Sequence, residues 1–174
     1  MPTAPRRPCA LAFAPVLLAA WLLGAAPARA DGGCPDPRAH DFDFWIGKWE
    51  VVNANGTVAG HNRIEPLLDG CILQESWTGV SGSGGTSLNF YDTARKQWRQ
   101  FWVWREGTTL DLAGGLVEGA MVMTGDSVED GKTVGNRITW SKRSGGRVNQ
   151  RWETSPDGGK TWTVVFDGMY HPSK

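Results

Sequence analysis

The chain has 174 residues, with 18 basic and 18 acidic side chains and a formal net charge of zero. Such a balance, with no basic stripe anywhere, excludes the electrostatic footprint of a nucleic-acid-binding protein. Ten tryptophans and 23 glycines point instead to an aromatic core cut by many turns.

The first thirty residues read as a targeting segment. Arg6 and Arg7 precede an apolar run, Cys9 to Ala26, broken by Pro15, and Ala28-Arg29-Ala30 closes it. A basic start, an apolar middle and a small-x-small end define a secretory signal peptide, expected over 1–30 with cleavage after Ala30. The apolar run is a little short for a membrane span, which needs about 20 residues. No cysteine directly follows the cleavage site, as a lipoprotein would need, and the arginine pair lacks the rest of a twin-arginine signal. The mature chain, 31–174, is expected in the periplasm or outside the cell, as one domain with no stable membrane anchor. It keeps 15 basic and 18 acidic residues, a net charge of −3. Its two cysteines, Cys34 and Cys71, are expected to pair, since thiols oxidise in exported proteins; two free buried thiols are the alternative.

Residues 36–46 predict a short helical turn. After it, helical periodicity is nearly absent and short alternating runs take over. These predict strands at 48–54, 58–65, 71–79, 84–91, 97–105, 109–116, 119–125, 133–142, 147–154 and 161–170. Between them stand Asn55-Gly56, Asp69-Gly70, Glu106-Gly107, Glu118-Gly119, Asp130-Gly131, Ser144-Gly145 and Asp157-Gly158. Such pairs supply the positive φ that tight hairpins need. About ten strands in meander order give an all-β domain. Its edges are removed by closing an up-and-down barrel, with a split into a sandwich as the alternative.

Asp41-Phe42-Asp43-Phe44-Trp45-Ile46-Gly47-Lys48-Trp49 resembles the opening of exported bacterial calycin-type proteins, including the Gly-x-Trp element that starts lipocalins. Gly70 to Trp77, Phe90-Tyr91-Asp92, Lys96 to Trp102, Arg137 to Trp140 and Ser155 to Trp162 continue the likeness over nearly all of the mature chain. The resemblance implies a calycin-like barrel and brings no established activity and no agreed catalytic residues.

Residues two apart on a strand share a face. One face of 71–77 carries Cys71, Leu73, Glu75 and Trp77, so Glu75 is a lone carboxylate among apolar groups. One face of 98–104 carries Trp98, Gln100, Trp102 and Trp104; the other carries Phe101 and Val103, and either pair of apolar residues suits an interior. Val148, Gln150 and Trp152 share a face, as do Val58, Gly60, Asn62 and Ile64. Turned inward, these faces would make a tryptophan-lined pocket with a few polar groups, the usual composition of a small-molecule site. A dry core with a self-satisfied polar network is the alternative. The candidate ligand-binding residues are therefore Asn62, Glu75, Trp77, Trp98, Gln100, Trp102, Trp104, Gln150 and Trp152. Trp45 and Trp49 are expected to plug one barrel end.

Other chemistry finds less support. Ser155-x-Asp157-x-Gly159-x-Thr161-Trp162 matches the Asp-box of sialidases, a hairpin turn and not a catalytic element. His40, His61 and His171 lie far apart and in no ligand-spaced motif, so no metal is expected. Haem would need a pocket-facing histidine, for which His171 is the sole late candidate; no cofactor is expected. No Ser-His-Asp or Cys-His arrangement is legible, and Gly79 to Gly85 is a serine-rich loop without nucleophile context. Glu75 is the one acid–base candidate, since burial raises a carboxyl pKa. Its structural reading is a hydrogen-bonded carboxylate held by Arg137 or Gln100. The expected role is thus small-molecule binding by an apolar or amphipathic ligand. An isomerase, cyclase or hydrolase using Glu75, carbohydrate binding by exposed tryptophans and an envelope protein without a ligand are the alternatives. The oligomeric state has no signature in the sequence.

Overall fold

Alternating side chains and glycine turns close this chain on itself. In the computed structural model, which describes Met1 and residues 33–174, ten antiparallel strands form a closed barrel in meander order. They are β1 (Gly47–Asn53), β2 (Val58–Leu67), β3 (Ile72–Gly79), β4 (Gly84–Asp92), β5 (Gln97–Trp104), β6 (Thr109–Val117), β7 (Ala120–Glu129), β8 (Lys132–Arg143), β9 (Arg147–Ser155) and β10 (Thr163–Pro172). β10 returns to pair with β1, so no edge strand is left exposed. The segment expected as a signal peptide lies, Met1 apart, outside the described residues.

Hairpin chemistry sets the register. Glu118 and Gly119 have φ of 49° and 83°, and Asp130 and Gly131 have 48° and 75°. Positive φ at both central residues is the geometry of a type I′ turn, whose twist matches the strands it joins. The final strand begins two residues later than its sequence pattern predicts. Thr161 and Trp162 are held in the preceding turn, where Asp157 accepts hydrogen bonds from both the amide and the hydroxyl of Thr161. Those bonds, the amide one first, draw the Asp157 carboxyl down to about 2. The Asp-box is a turn device here. Similarly, Cys71 belongs to the turn before β3 and not to the strand itself.

One barrel end is closed by the residues before β1. Two single turns of 3-10 helix, Pro37–His40 and Asp43–Trp45, replace the one helical turn read from the sequence. Pro37 opens the first, and the Asp36 side chain caps it by accepting from the Arg38 amide at 3.0 Å. They carry Phe42 and Trp45 into the bore. Phe42 stacks on Trp45 at 4.8 Å and meets Trp98 and Trp140 edge-on at 5.6 and 5.2 Å. Trp49 donates its indole N–H to the Trp45 carbonyl at 2.9 Å, and Trp98 donates to that of Arg38 at 3.1 Å. Gly47, at φ 145°, makes the bend that leads the plug into β1. Trp45, Trp98 and Trp140 are fully buried. Each such ring removes about 150–250 Å² from water, worth roughly 4–6 kcal/mol as an upper bound at 25 cal/mol per Å². A disulfide between Cys34 and Cys71 ties the plug to the start of β3.

Candidate functional site

The end opposite the plug opens into a cavity of about 810 Å³. Strand alternation supplies its walls, and the ambiguity at β5 resolves in favour of the tryptophan face: Phe101 is 47% exposed and Gln100 3%. Trp77, Trp102, Trp104, Trp152 and Phe166 form the aromatic wall, with Leu110 and Ile138 also lining the space. Trp102 packs edge-on against Trp104 at 5.6 Å, Trp104 meets Trp152 at 6.1 Å, and Trp77 meets Phe166 at 6.5 Å.

Glycines give these rings their room. A methyl group on Gly85 would sit 2.4 Å from Trp102 Cζ2, and one on Gly60 would sit 2.8 Å from Trp77 Cη2. The two indoles therefore lie against bare backbone on β4 and β2. Side chains at either position would displace them.

Four polar residues of the lining, Glu75, Gln100, Gln150 and Tyr170, belong to one hydrogen-bonded belt. Gln100 donates to Asn89 Oδ1 at 2.8 Å, and Asn89 donates to Ser87 Oγ at 2.8 Å. Ser87 donates to Glu75 Oε2 at 2.6 Å, and Asn62 donates to Glu75 Oε1 at 2.7 Å. Asn62 also donates to the Tyr170 oxygen at 3.2 Å, and the Tyr170 hydroxyl donates to Gln150 Oε1. The belt spans β5, β4, β3, β2, β10 and β9 with Glu75 at its centre. Burial pushes the Glu75 carboxyl up to about 7, while the bonds from Ser87 and Asn62 pull it down. Burial first, and then the nearby Glu75 charge, raise the Tyr170 phenol well above its usual value.

The structure brings together seven of the nine residues singled out by sequence: Glu75, Trp77, Gln100, Trp102, Trp104, Gln150 and Trp152 all line the cavity. Asn62 stands behind its lining, bonded to Glu75. Trp98 shares the inward face but lies in the plug, because alternation fixes a side chain's face and not its depth along the bore. The partners expected for Glu75 are corrected. Arg137 is on the outer face, where it pairs with Glu153 at 3.0 Å and covers the Trp162 ring at 4.2 Å. Gln100 reaches Asn89 instead. Ser87, Asn89 and Tyr170 were not singled out. Ser87 and Asn89 alternate inward with Gly85 and Tyr91 on β4, a pattern open to the same reading that found Glu75. None of the nine tryptophans in residues 33–174 is exposed, so carbohydrate binding loses the outer aromatic row it requires.

The chain matches no protein-family model and no curated protein. Among the described residues, no cluster of three or more His, Cys, Asp or Glu could hold a metal ion. His171 sits on β10 opposite Glu50, away from the cavity lining. No described helix is long and apolar enough to cross a membrane.

Proposed function

We propose that this protein is an exported small-molecule-binding barrel of the calycin type, whose ligand is apolar or amphipathic and sits in the tryptophan-walled cavity. The observation that carries the reading is the cavity itself: about 810 Å³, open at one end, aromatic on its walls and polar around Glu75. That size and that mixture are characteristic of small-molecule sites. Export is supported by the Cys34–Cys71 disulfide, which persists in oxidising compartments. The mature protein then begins at Asp31, which N-terminal sequencing of exported material checks directly.

Native mass spectrometry of protein taken from its own periplasm or medium tests the binding reading. A co-purifying small molecule, lost when Trp102 is replaced by Ala, is the expected result. Failure of every apolar probe to quench tryptophan fluorescence would overturn it.

A second reading, an enzyme in the same cavity, is favoured by the Glu75 carboxyl near 7 in contact with a hydrogen-bonded belt. A group that titrates near the working pH suits proton transfer. Glu75→Gln separates the two readings. A binder keeps its fold and most of its affinity for neutral ligands, whereas an enzyme loses about 100-fold or more in rate.

A further inference from the structure

The cavity is charged in one sense only. Among the described residues, its lining includes Glu75 and Glu129 and no lysine, arginine or histidine. Arg105 approaches the backbone of Gly84 at the rim and does not line the space. An anionic ligand such as a fatty acid would enter without a countercharge and would face a carboxylate, a costly arrangement in a partly dry site.

Hydrogen-bond inventory points the same way. A carboxylate has about four acceptor sites, and Glu75 uses one on each oxygen, for Asn62 and Ser87. Asn62 Oδ1 is buried and meets no donor among the described residues. The Gln150 oxygen already accepts from Tyr170, and the Asn89 oxygen from Gln100. The centre of the belt thus holds surplus acceptors. Above it stand tryptophan rings, whose π faces attract cations. The Trp152 N–H is engaged by Asn136 at 2.9 Å; the buried Trp102 N–H has no acceptor, but a single neutral donor does not offset the Glu75 charge.

Resting on the small-molecule reading above, the geometry points to a protonated amine on a flat apolar body as the ligand class, its ammonium at Glu75 and its body between the tryptophans. The ammonium supplies the countercharge that Glu75 lacks and N–H donors for its open acceptor sites. Charge-assisted hydrogen bonds of this kind are roughly twice as strong as neutral ones. No covalent step is involved.

The pH dependence follows from Glu75. The groups bonded around it are Asn62 of β2, Ser87 and Asn89 of β4, Gln100 of β5, Gln150 of β9 and Tyr170 of β10. Tyr170 alone among them ionises, and it stays neutral through the accessible range. Glu75 is therefore the group that changes charge between pH 5.5 and 8.5, values that bracket its pKa of about 7. Amine binding strengthens as pH rises through that window, while a neutral ligand's does not.

Calorimetric titration of the mature protein with three probes of one shape tests this: naphthylethylamine, naphthylethanol and naphthylacetate. At pH 8.5 the amine should bind about tenfold or more tighter than the alcohol, and the acetate weakest. At pH 5.5 the amine's advantage should shrink towards parity. Glu75→Gln should remove the amine's advantage over the alcohol at pH 8.5; the wild-type pH series gives the same readout should that variant not fold. Equal binding of amine and alcohol at pH 8.5, or tightest binding of the acetate, overturns the amine assignment and leaves the binding cavity standing. Binding of none of the three overturns both.

Discussion

The rings of Trp104 and Trp152 come to 6.1 Å between centroids, although β5 and β9 stand four places apart in the barrel. Two large side chains reach across the bore and meet, so the cavity is shaped by a contact between opposite walls. Such a contact belongs to the pocket and not to the plug.

Trp104→Ala should therefore separate binding from stability. Affinity for a neutral aromatic probe is expected to fall about tenfold, since an aromatic pair and its buried area are lost together. The urea midpoint should fall much less than for Trp140→Ala, a plug substitution expected to cost about 3–5 kcal/mol. Calorimetry and urea unfolding of both variants check this. Equal destabilisation by the two would make Trp104 part of the core.

Glu75 makes the fold less stable as pH rises. Its carboxyl titrates near 7 in the folded protein and near 4.5 in the unfolded chain. Between those values the folded state holds the extra proton. Its contribution is therefore fully present below about pH 4.5 and is lost as pH rises through 7. The loss is up to about 3 kcal/mol, at 1.36 kcal/mol per unit. Denaturant unfolding at a series of pH values should show this fall in the wild type. Glu75→Gln should flatten it and be the more stable protein at pH 8. A wild-type profile that rises across the window would refute the assignment.

Gly85→Ala should cost about 1–3 kcal/mol, because the new methyl meets Trp102 Cζ2 at 2.4 Å and the Val103 carbonyl oxygen at 2.6 Å. Gly115→Ala is the control: it also lies within a strand, and nothing approaches within 4 Å of its added carbon. The first variant should also shift the tryptophan emission; the second should not.

Reduction of the disulfide should loosen the plug. The cysteines are 37 residues apart, a separation for which loop entropy gives about 4 kcal/mol. The Cys34→Ser, Cys71→Ser double variant should lose about 2–4 kcal/mol in thermal or chemical unfolding and keep its ten strands, as seen by far-ultraviolet circular dichroism.

Much of this architecture was legible in the residues. The seven glycines of the quoted turn pairs all adopt positive φ, because hairpin geometry is a local property that a dipeptide can specify. Glu75 stood out because one charge on an apolar face is visible from alternation alone. Its partners were not, since Asn62 and Ser87 reach it across strand pairings that depend on register. Tyr170 lies 108 residues from Asn62 and meets it only because the last strand closes on the first. Trp98 and Trp102 look equivalent in sequence, and only the plug's position along the bore makes one structural and the other a wall.

The plug gives the molecule a direction. A tube can pass its contents through; a cup stoppered at one end cannot. Whatever occupies this bore enters and leaves past the same hairpins, β1–β2, β3–β4, β5–β6, β7–β8 and β9–β10. The rates of arrival and departure are thus set at that mouth, where Val80 and Val165 stand exposed. The residues that hold the fold sit at the far end, behind Trp98 and Trp140. Changes at the mouth can retune dwell time with little effect on the tightly packed base.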